Sequence, residues 1–200
     1  MTTPVDETRR ALLLSAFRMP SVQTMVSRKS SITNAFVGSV IPVVFPTVEE
    51  ISEALAILGQ DPEDVRCAYC GDKSSEWDHL LPLVMKRRPT GFISEIANLV
   101  PACGKCNQSK GNQPWKTWML GSAKYSPMGR GVSGLAERVM RLERYQQWKR
   151  PTRVDFSLIV GKDDWENYWE LCEVLNADMR KAQDVADGFR SRILGAVKKA

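Results

Sequence analysis

Apolar residues recur with helical spacing near the beginning of the chain. Leucine, alanine and phenylalanine side chains fall on one side of residues 5–18, which predicts a first helix. Residues 21–46 mix β-branched residues with glycine and proline, and we expect a short helix or strand there, followed by an extended segment. The next helix is predicted to begin at Thr47, because Thr47 and Glu50 have the spacing of a capping box, and to end at Gly59.

The second half of the chain contains two longer helical patterns. Residues 132–149 predict a helix with one apolar side and three arginines on a neighbouring arc. Residues 163–194 predict a long helix with Asn176 as a candidate break point, and Cys172 on its apolar side is interpreted as a core residue. Between residues 67 and 120 the pattern instead consists of short segments separated by glycine and proline turns.

These elements predict a mainly helical α+β chain with three regions. We expect an N-terminal helical region at residues 1–66, a cysteine-bearing region at 67–120 and a C-terminal helical region at 121–200. The apolar runs are far shorter than the roughly 18 to 20 residues that a membrane span needs. The N-terminal residues also lack the pattern of a secretory signal, so we expect a cytoplasmic protein without membrane association.

Positive charge is concentrated in the middle of the chain. Residues 67–150 contain 14 Lys and Arg against 6 Asp and Glu, whereas the whole chain has a net charge of +5. Such a basic region is typical of proteins that bind nucleic acid, because neutralising phosphates releases counterions. The alternative is a basic surface without a polyanionic partner.

Four of the five cysteines form two C-x2-C pairs separated by 32 residues. Two thiolates with this spacing can bind one Zn²⁺ from a tight turn, and a second such pair completes a tetrahedral site. We therefore predict a structural zinc ion, since four cysteines leave no coordination position for water; a redox-active dithiol is the alternative. The predicted ligands are Cys67, Cys70, Cys103 and Cys106.

Polar residues of catalytic types lie between and just after the cysteine pairs. Asp78 precedes His79, the only histidine of the chain, and Asn98 and Asn107 follow within the motif C-x2-C…DH-x2-P…NL-x-PAC-x2-CN-x2-KG. With these residues in this order, residues 67–118 resemble the HNH endonuclease family. The resemblance implies a ββα-metal finger, in which two antiparallel strands and a helix hold one divalent cation. Asparagine at the last motif position, where histidine is also found, is a frequent variant of the family.

The chemistry of these residues suits phosphodiester hydrolysis. A neutral imidazole can accept a proton from water near physiological pH, and His79 is the only candidate. Asp78 and Asn107 offer hard oxygen ligands that suit Mg²⁺ or Mn²⁺. By resemblance to the family, His79 is the general base, and Asp78 and Asn107 bind the catalytic cation. Asn98 then braces the loop that holds His79. Asn107 has an alternative role as the cap of the helix after the second cysteine pair.

One geometric condition follows from this assignment. Neighbouring residues of a regular strand point to opposite faces, so Asp78 and His79 can share a site only if the strand bends or ends there. Pro82 is consistent with a strand that ends soon after His79.

Several basic residues are candidates for contact with DNA phosphates. For the three helix arginines the alternative is a solvated basic face. The candidates are Lys86, Arg87, Arg88, Lys110, Arg138, Arg141 and Arg144. The tryptophans Trp77, Trp115 and Trp118 are predicted to pack around the small metal-bound core rather than to stack on bases.

The predicted function is a metal-dependent DNA endonuclease that leaves 5′-phosphate and 3′-hydroxyl ends and that suits a type II restriction role. One such site cuts one strand, so cleavage of both strands of double-stranded DNA favours a homodimer. The alternatives are a phage or mobile-element nicking enzyme, a non-catalytic zinc-bearing DNA-binding module, and a nuclease that acts on RNA.

Overall fold

The computed structural model describes residues 7–17 and 19–198, and it is mainly helical. Its α-helices are α1 (Glu7–Ala16), α2 (Lys29–Val40), α3 (Val48–Leu58), α4 (Gly104–Lys110), α5 (Trp115–Met119), α6 (Leu135–Trp148), α7 (Phe156–Val160) and α8 (Lys162–Val197). Its strands are β1 (Glu76–His79), β2 (Val84–Met85), β3 (Arg88–Pro89) and β4 (Leu99–Ala102). Short 3₁₀ helices span Met25–Arg28 and Ile96–Asn98. The prediction of an α+β fold is confirmed.

Contacts along the chain define two compact units. The larger unit runs from Ser31 to Glu173 and contains all of residues 67–120 with parts of both predicted flanks. The smaller unit combines the described residues before Ser31 with those after Glu173, and within it the Met25 N–H donates to Oε1 of Gln183 at 2.7 Å. The division into three regions with boundaries at residues 66 and 120 thus stays a prediction from the sequence.

The helix signals read from the sequence have clear structural counterparts in α3. The Thr47 hydroxyl accepts from the Glu50 N–H, and the Glu50 carboxylate accepts from the Thr47 N–H at 2.9 Å, which completes the capping box. Gly59 ends the helix with a φ of 63°, in the left-handed region that glycine adopts without strain. Both predicted ends of this helix are confirmed.

Two helix predictions need correction. The helix predicted at 132–149 begins only at Leu135, because Gly134 has a left-handed φ of 65°. The long C-terminal helix α8 is continuous and does not break at Asn176, where the side chain is buried. Asparagine inside a helix is less favourable than alanine by about 0.7 kcal/mol at most. Burial of the helix outweighs this cost. Residues 5, 6 and 18 of the first predicted helix lie outside the described residues.

The larger unit contains two hydrophobic clusters. One surrounds the four cysteines and is formed by side chains of α3, α5, α6 and β4, among them the buried Trp115 and Trp118. The other joins α2 and α8 through Val37 and Trp169, and it includes Cys172, as predicted for a core residue. Trp77 does not join these clusters: 54% of it is exposed, so the prediction of core packing is wrong for this tryptophan.

No helix within residues 7–17 and 19–198 combines the length and apolar character that a membrane crossing requires.

Candidate active site

The candidate site is built on two antiparallel strands and the helix that follows them. Strand β1 pairs with β4 so that Asp78 lies opposite Val100 and His79 opposite Leu99. Helix α4 begins directly after β4, at Gly104, and packs against β1. This arrangement has the two strands and the helix of a ββα finger.

The four cysteine thiols at one end of this finger form a compact cluster. All four Sγ atoms lie within 4.8 Å of one another, and those of Cys70 and Cys103 are 3.6 Å apart. A tetrahedron with Zn–S bonds of about 2.3 Å has edges of about 3.8 Å. The cluster therefore fits a structural zinc ion, with the ligands Cys67, Cys70, Cys103 and Cys106.

Two arginines contact the cysteine turns. Arg130 donates from Nη2 to the Sγ atom of Cys106 at 3.1 Å. The guanidinium of Arg138 covers Gly71, where an added Cβ would lie 2.4 Å from Nη2. Gly71 also has a φ of 81°, in the left-handed region that favours glycine. Positive charge beside thiolates stabilises them, and the sequence alone did not indicate these contacts.

Asp78 is buried, with 6% exposure, and it is held by charged and polar partners. The Tyr69 hydroxyl donates to Oδ2 at 2.6 Å, and the Lys110 ammonium lies 3.0 Å from Oδ2 and 3.2 Å from Oδ1. Burial raises the pKa of Asp78 above its usual value, while the Lys110 charge and the Tyr69 hydrogen bond oppose that increase. Burial together with the Asp78 charge also raises the pKa of Tyr69, which therefore stays protonated.

Lys110 was predicted to contact phosphate, and the structure contradicts this. Its side chain is 1% exposed, and besides Asp78 its ammonium donates to the His79 carbonyl at 2.8 Å and the Gly111 carbonyl at 3.3 Å. A lysine at the end of α4 therefore holds the end of β1 instead of facing the solvent. A buried carboxylate needs a compensating charge, which explains why this lysine turns inwards.

His79 is partly buried beside Asp78. Its Nε2 atom lies 2.8 Å from Oγ of Ser94, a residue that sequence reasoning did not single out. Burial, with a smaller effect of the Lys110 charge, lowers the pKa of His79 to about 4. The imidazole is therefore neutral near physiological pH, as a general base requires.

Asp78, His79 and Asn107 line one cleft of about 300 Å³. They meet although Asp78 and His79 are neighbours in sequence, because β1 ends at His79. The remaining lining residues are Asn34, Val37, Gly38, Pro82, Leu83, Val84, Gly111 and Asn112. The condition that the strand ends at the Asp-His pair is met.

Asn98 is completely buried and bonds to the chain just after His79. Its Oδ1 accepts from the Leu81 N–H at 2.8 Å, and its Nδ2 donates to the Leu81 carbonyl at 3.1 Å and the Ile93 carbonyl at 3.4 Å. These contacts have the geometry that a bracing role for Asn98 needs.

Asn107 is the fourth residue of α4 and donates from Nδ2 to Oε2 of Glu76 at 2.5 Å. The N-cap of α4 is Cys103, so the alternative interpretation of Asn107 as a helix cap is wrong. Because a carboxylate oxygen only accepts hydrogen bonds, the contact with Glu76 defines which amide atom is the nitrogen and leaves Oδ1 for another partner.

The predicted DNA-contacting arginines mostly have protein partners. Arg87 pairs with Glu173 at 2.7 Å, and Arg88 pairs with Glu166 at 3.3 Å. Arg88 also lies over the Trp169 ring, 5.3 Å from its centroid. In α6, Arg141 pairs with Glu137, and Arg138 covers Gly71 as described above. Among the seven candidates, Lys86 and Arg144 are exposed, and the structure shows no ion pair for either within its described part. Lys86 and Arg144 are thus exposed candidates without an ion pair in the described residues, whereas Arg88 is exposed but paired with Glu166.

Comparison with known proteins agrees with this geometry. The family model described as HNH endonuclease matches residues 67–113. The CRISPR-associated endonuclease Cas9 of Corynebacterium diphtheriae is 42% identical to this chain over 60 residues, which is 28% of this chain and 5% of that protein. The chain thus spans a small fraction of the length of this relative. No solved structure matches the chain significantly.

Proposed function

We propose that this chain, whose residues 67–113 match the HNH endonuclease family, hydrolyses phosphodiester bonds of DNA with the help of a divalent cation. The observation that carries the proposal is the convergence of Asp78, His79 and Asn107 on one cleft of the ββα finger. A module that only binds DNA would not need a neutral histidine beside two hard oxygen ligands.

The donor atoms in the cleft fit Mg²⁺ or Mn²⁺. A carboxylate has about four lone-pair sites. Tyr69 and Lys110 make three contacts to the Asp78 carboxylate, which leaves one lone-pair site for a cation. Asn107 supplies its amide oxygen, because its nitrogen bonds to Glu76. A bound divalent cation stabilises the negative charge that develops on the phosphate and on the leaving 3′ oxygen.

His79 acts as the general base in this proposal. Its unprotonated ring nitrogen takes a proton from the attacking water, whose oxygen forms a bond to phosphorus while the bond to the 3′ oxygen breaks. The 3′ oxygen is protonated by solvent, which yields 5′-phosphate and 3′-hydroxyl ends. Asn98 keeps the chain after His79 in place through its bonds to Leu81.

The zinc ion has a structural role in this proposal. Its four thiolate ligands come from the turn before β1 and from the beginning of α4, so zinc connects the two elements that carry Asp78 and Asn107. Arg130 compensates part of the thiolate charge.

We propose double-stranded DNA as the substrate, with Lys86 and Arg144 as phosphate contacts, and a type II restriction role in the cytoplasm. Each chain carries one candidate active site, so a double-strand break favours two chains acting together, and we propose a homodimer for that step. The excess of positive charge at residues 67–150 supports a polyanionic substrate.

The experiment that tests this function compares supercoiled plasmid DNA and RNA as substrates for the zinc-loaded protein. We expect nicked or linear plasmid with added Mg²⁺ or Mn²⁺ and intact plasmid without an added cation. Omitting the cation is preferable to EDTA, which also competes for zinc. DNA binding without cleavage under all cations would favour the non-catalytic module, and cleavage of RNA alone would show that the substrate is wrongly assigned.

A further inference from the structure

The imidazole of His79 contacts a serine that belongs to neither the cysteine pairs nor the Asp-His pair. Nε2 of His79 lies 2.8 Å from Oγ of Ser94. In the described residues this is the only hydrogen bond found for the Ser94 hydroxyl, and the 3₁₀ helix that follows has Glu95 as its N-cap, without a side-chain cap. The hydroxyl of Ser94 therefore bonds to His79 instead of capping a helix.

The backbone of Ser94 is held by an extended segment that follows α2. The Val44 N–H donates to the Ser94 carbonyl at 2.8 Å, and the Ser94 N–H donates to the Pro42 carbonyl at 3.2 Å. These bonds form a parallel bridge between Val43 and Ser94. We call residues 42–44 the clamp segment.

Both sides of this bridge are anchored in the core. Ile41, just before the clamp segment, and Ile93, just before Ser94, are buried in the same hydrophobic cluster. Main-chain bonds between two anchored segments leave little freedom for the position of the Ser94 hydroxyl. The clamp segment thus contacts Ser94, and Ser94 in turn contacts the candidate base His79.

We propose that Ser94 is a positioning residue for His79 and that the clamp segment holds Ser94 in place. In this arrangement Nε2–H of His79 donates to Oγ of Ser94, which fixes the ring orientation and the tautomer. Nδ1 is then the unprotonated nitrogen that accepts the proton from water. The inference rests on the proposed function where it assigns a role to Nδ1, whereas the hydrogen bond itself can be tested without any activity.

The first test uses the tautomer of His79. Because the chain has a single histidine, its ¹⁵N-labelled imidazole gives one assignable pair of NMR signals. At neutral pH we expect the Nε2–H tautomer in the zinc-loaded wild-type protein and in Ser94→Thr, and a mixture with more Nδ1–H tautomer in Ser94→Ala. Ser75→Ala, a change at an exposed serine before β1, is the matched control and should keep the wild-type signals.

The second test uses cleavage kinetics. We expect Ser94→Ala to lower kcat about 10- to 100-fold, because a mobile base is displaced from the attacking geometry, with the KM for DNA unchanged. Ser94→Thr should restore most of kcat. Val44→Pro removes the N–H that bonds to Ser94 and should reproduce the Ser94→Ala tautomer shift, while Val44→Ala keeps this N–H and should behave as wild type.

The outcomes separate this inference from the proposed function. An Nδ1–H tautomer in the wild-type protein, or a tautomer that Ser94→Ala leaves unchanged, would overturn the positioning role. If the wild-type protein has the Nε2–H tautomer and Ser94→Ala shifts it as expected, but the wild type cleaves no nucleic acid, the nuclease function is refuted and the hydrogen-bonding role of Ser94 stays intact. A tautomer unaffected by Val44→Pro would refute the role of the clamp segment.

Discussion

Replacing Lys110 by methionine removes the positive partner of a buried carboxylate while keeping a long apolar side chain. The side chains of Lys110 and Asp78 are 1% and 7% exposed, and their charged atoms are 3.0 Å apart. Breaking a buried ion pair from one side costs about 3–5 kcal/mol, because the remaining charge is left uncompensated. With roughly 2–4 °C per kcal/mol for a chain of this size, we expect the Tm to fall by about 6–20 °C.

Thermal and urea unfolding of the zinc-loaded protein measure this loss. Lys105→Met changes an exposed lysine of the same helix and should alter the free energy of unfolding by less than about 0.5 kcal/mol. The double variant Lys110→Met with Asp78→Leu removes both charges and should recover only part of the lost stability, because the buried Tyr69 hydroxyl then loses its acceptor. A Lys110→Met protein as stable as the wild type would refute the buried ion pair.

Three further predictions concern the frame of the site. Asn98→Ala should lower the free energy of unfolding by about 1–3 kcal/mol in urea titrations, because the partly buried Leu81 N–H loses its acceptor; unchanged stability would contradict the bracing contact. Cys103→Ser should reduce the zinc content, measured by elemental mass spectrometry, from about one ion per chain, and full retention of zinc would argue against the four-cysteine site. Gly71→Ala should destabilise the protein slightly more than Gly131→Ala: both glycines have a positive φ, but only at Gly71 must an added Cβ displace a guanidinium, that of Arg138, from its place over the cysteine turn; a smaller loss for Gly71→Ala would contradict this packing.

Features encoded in a few neighbouring residues could be predicted from the sequence. The ends of α3 depend on a capping box and a glycine within 13 residues, and both were found as expected. The four-cysteine cluster follows from ligand spacing, because two C-x2-C turns have few ways to bind one ion. The order of Asp78, His79 and Asn107 likewise indicated which residues would meet in one cleft.

Features that depend on partners distant in sequence could not be predicted. Lys110 was assigned to phosphate because lysine is usually exposed, but the burial of Asp78, 32 residues earlier, provides a stronger partner. Likewise, no local signal indicates that Arg87, whose side chain is still 39% exposed, pairs with Glu173 on α8. Ser94 carries no local signal either, since its contact with His79 exists only after β1 and the clamp segment are in place.

The role of His79 as the general base is tested most directly by comparing His79→Ala with the wild-type protein on one DNA substrate in Mg²⁺. Because general-base catalysis contributes about 10²- to 10⁴-fold to the rate, we expect single-turnover cleavage to slow by at least about 100-fold. The Kd for DNA, measured by fluorescence anisotropy, should stay within about twofold, since phosphate contacts and not His79 supply the affinity. Cleavage at a rate close to that of the wild type, or a loss of DNA binding that accounts for the slower cleavage, would contradict this role.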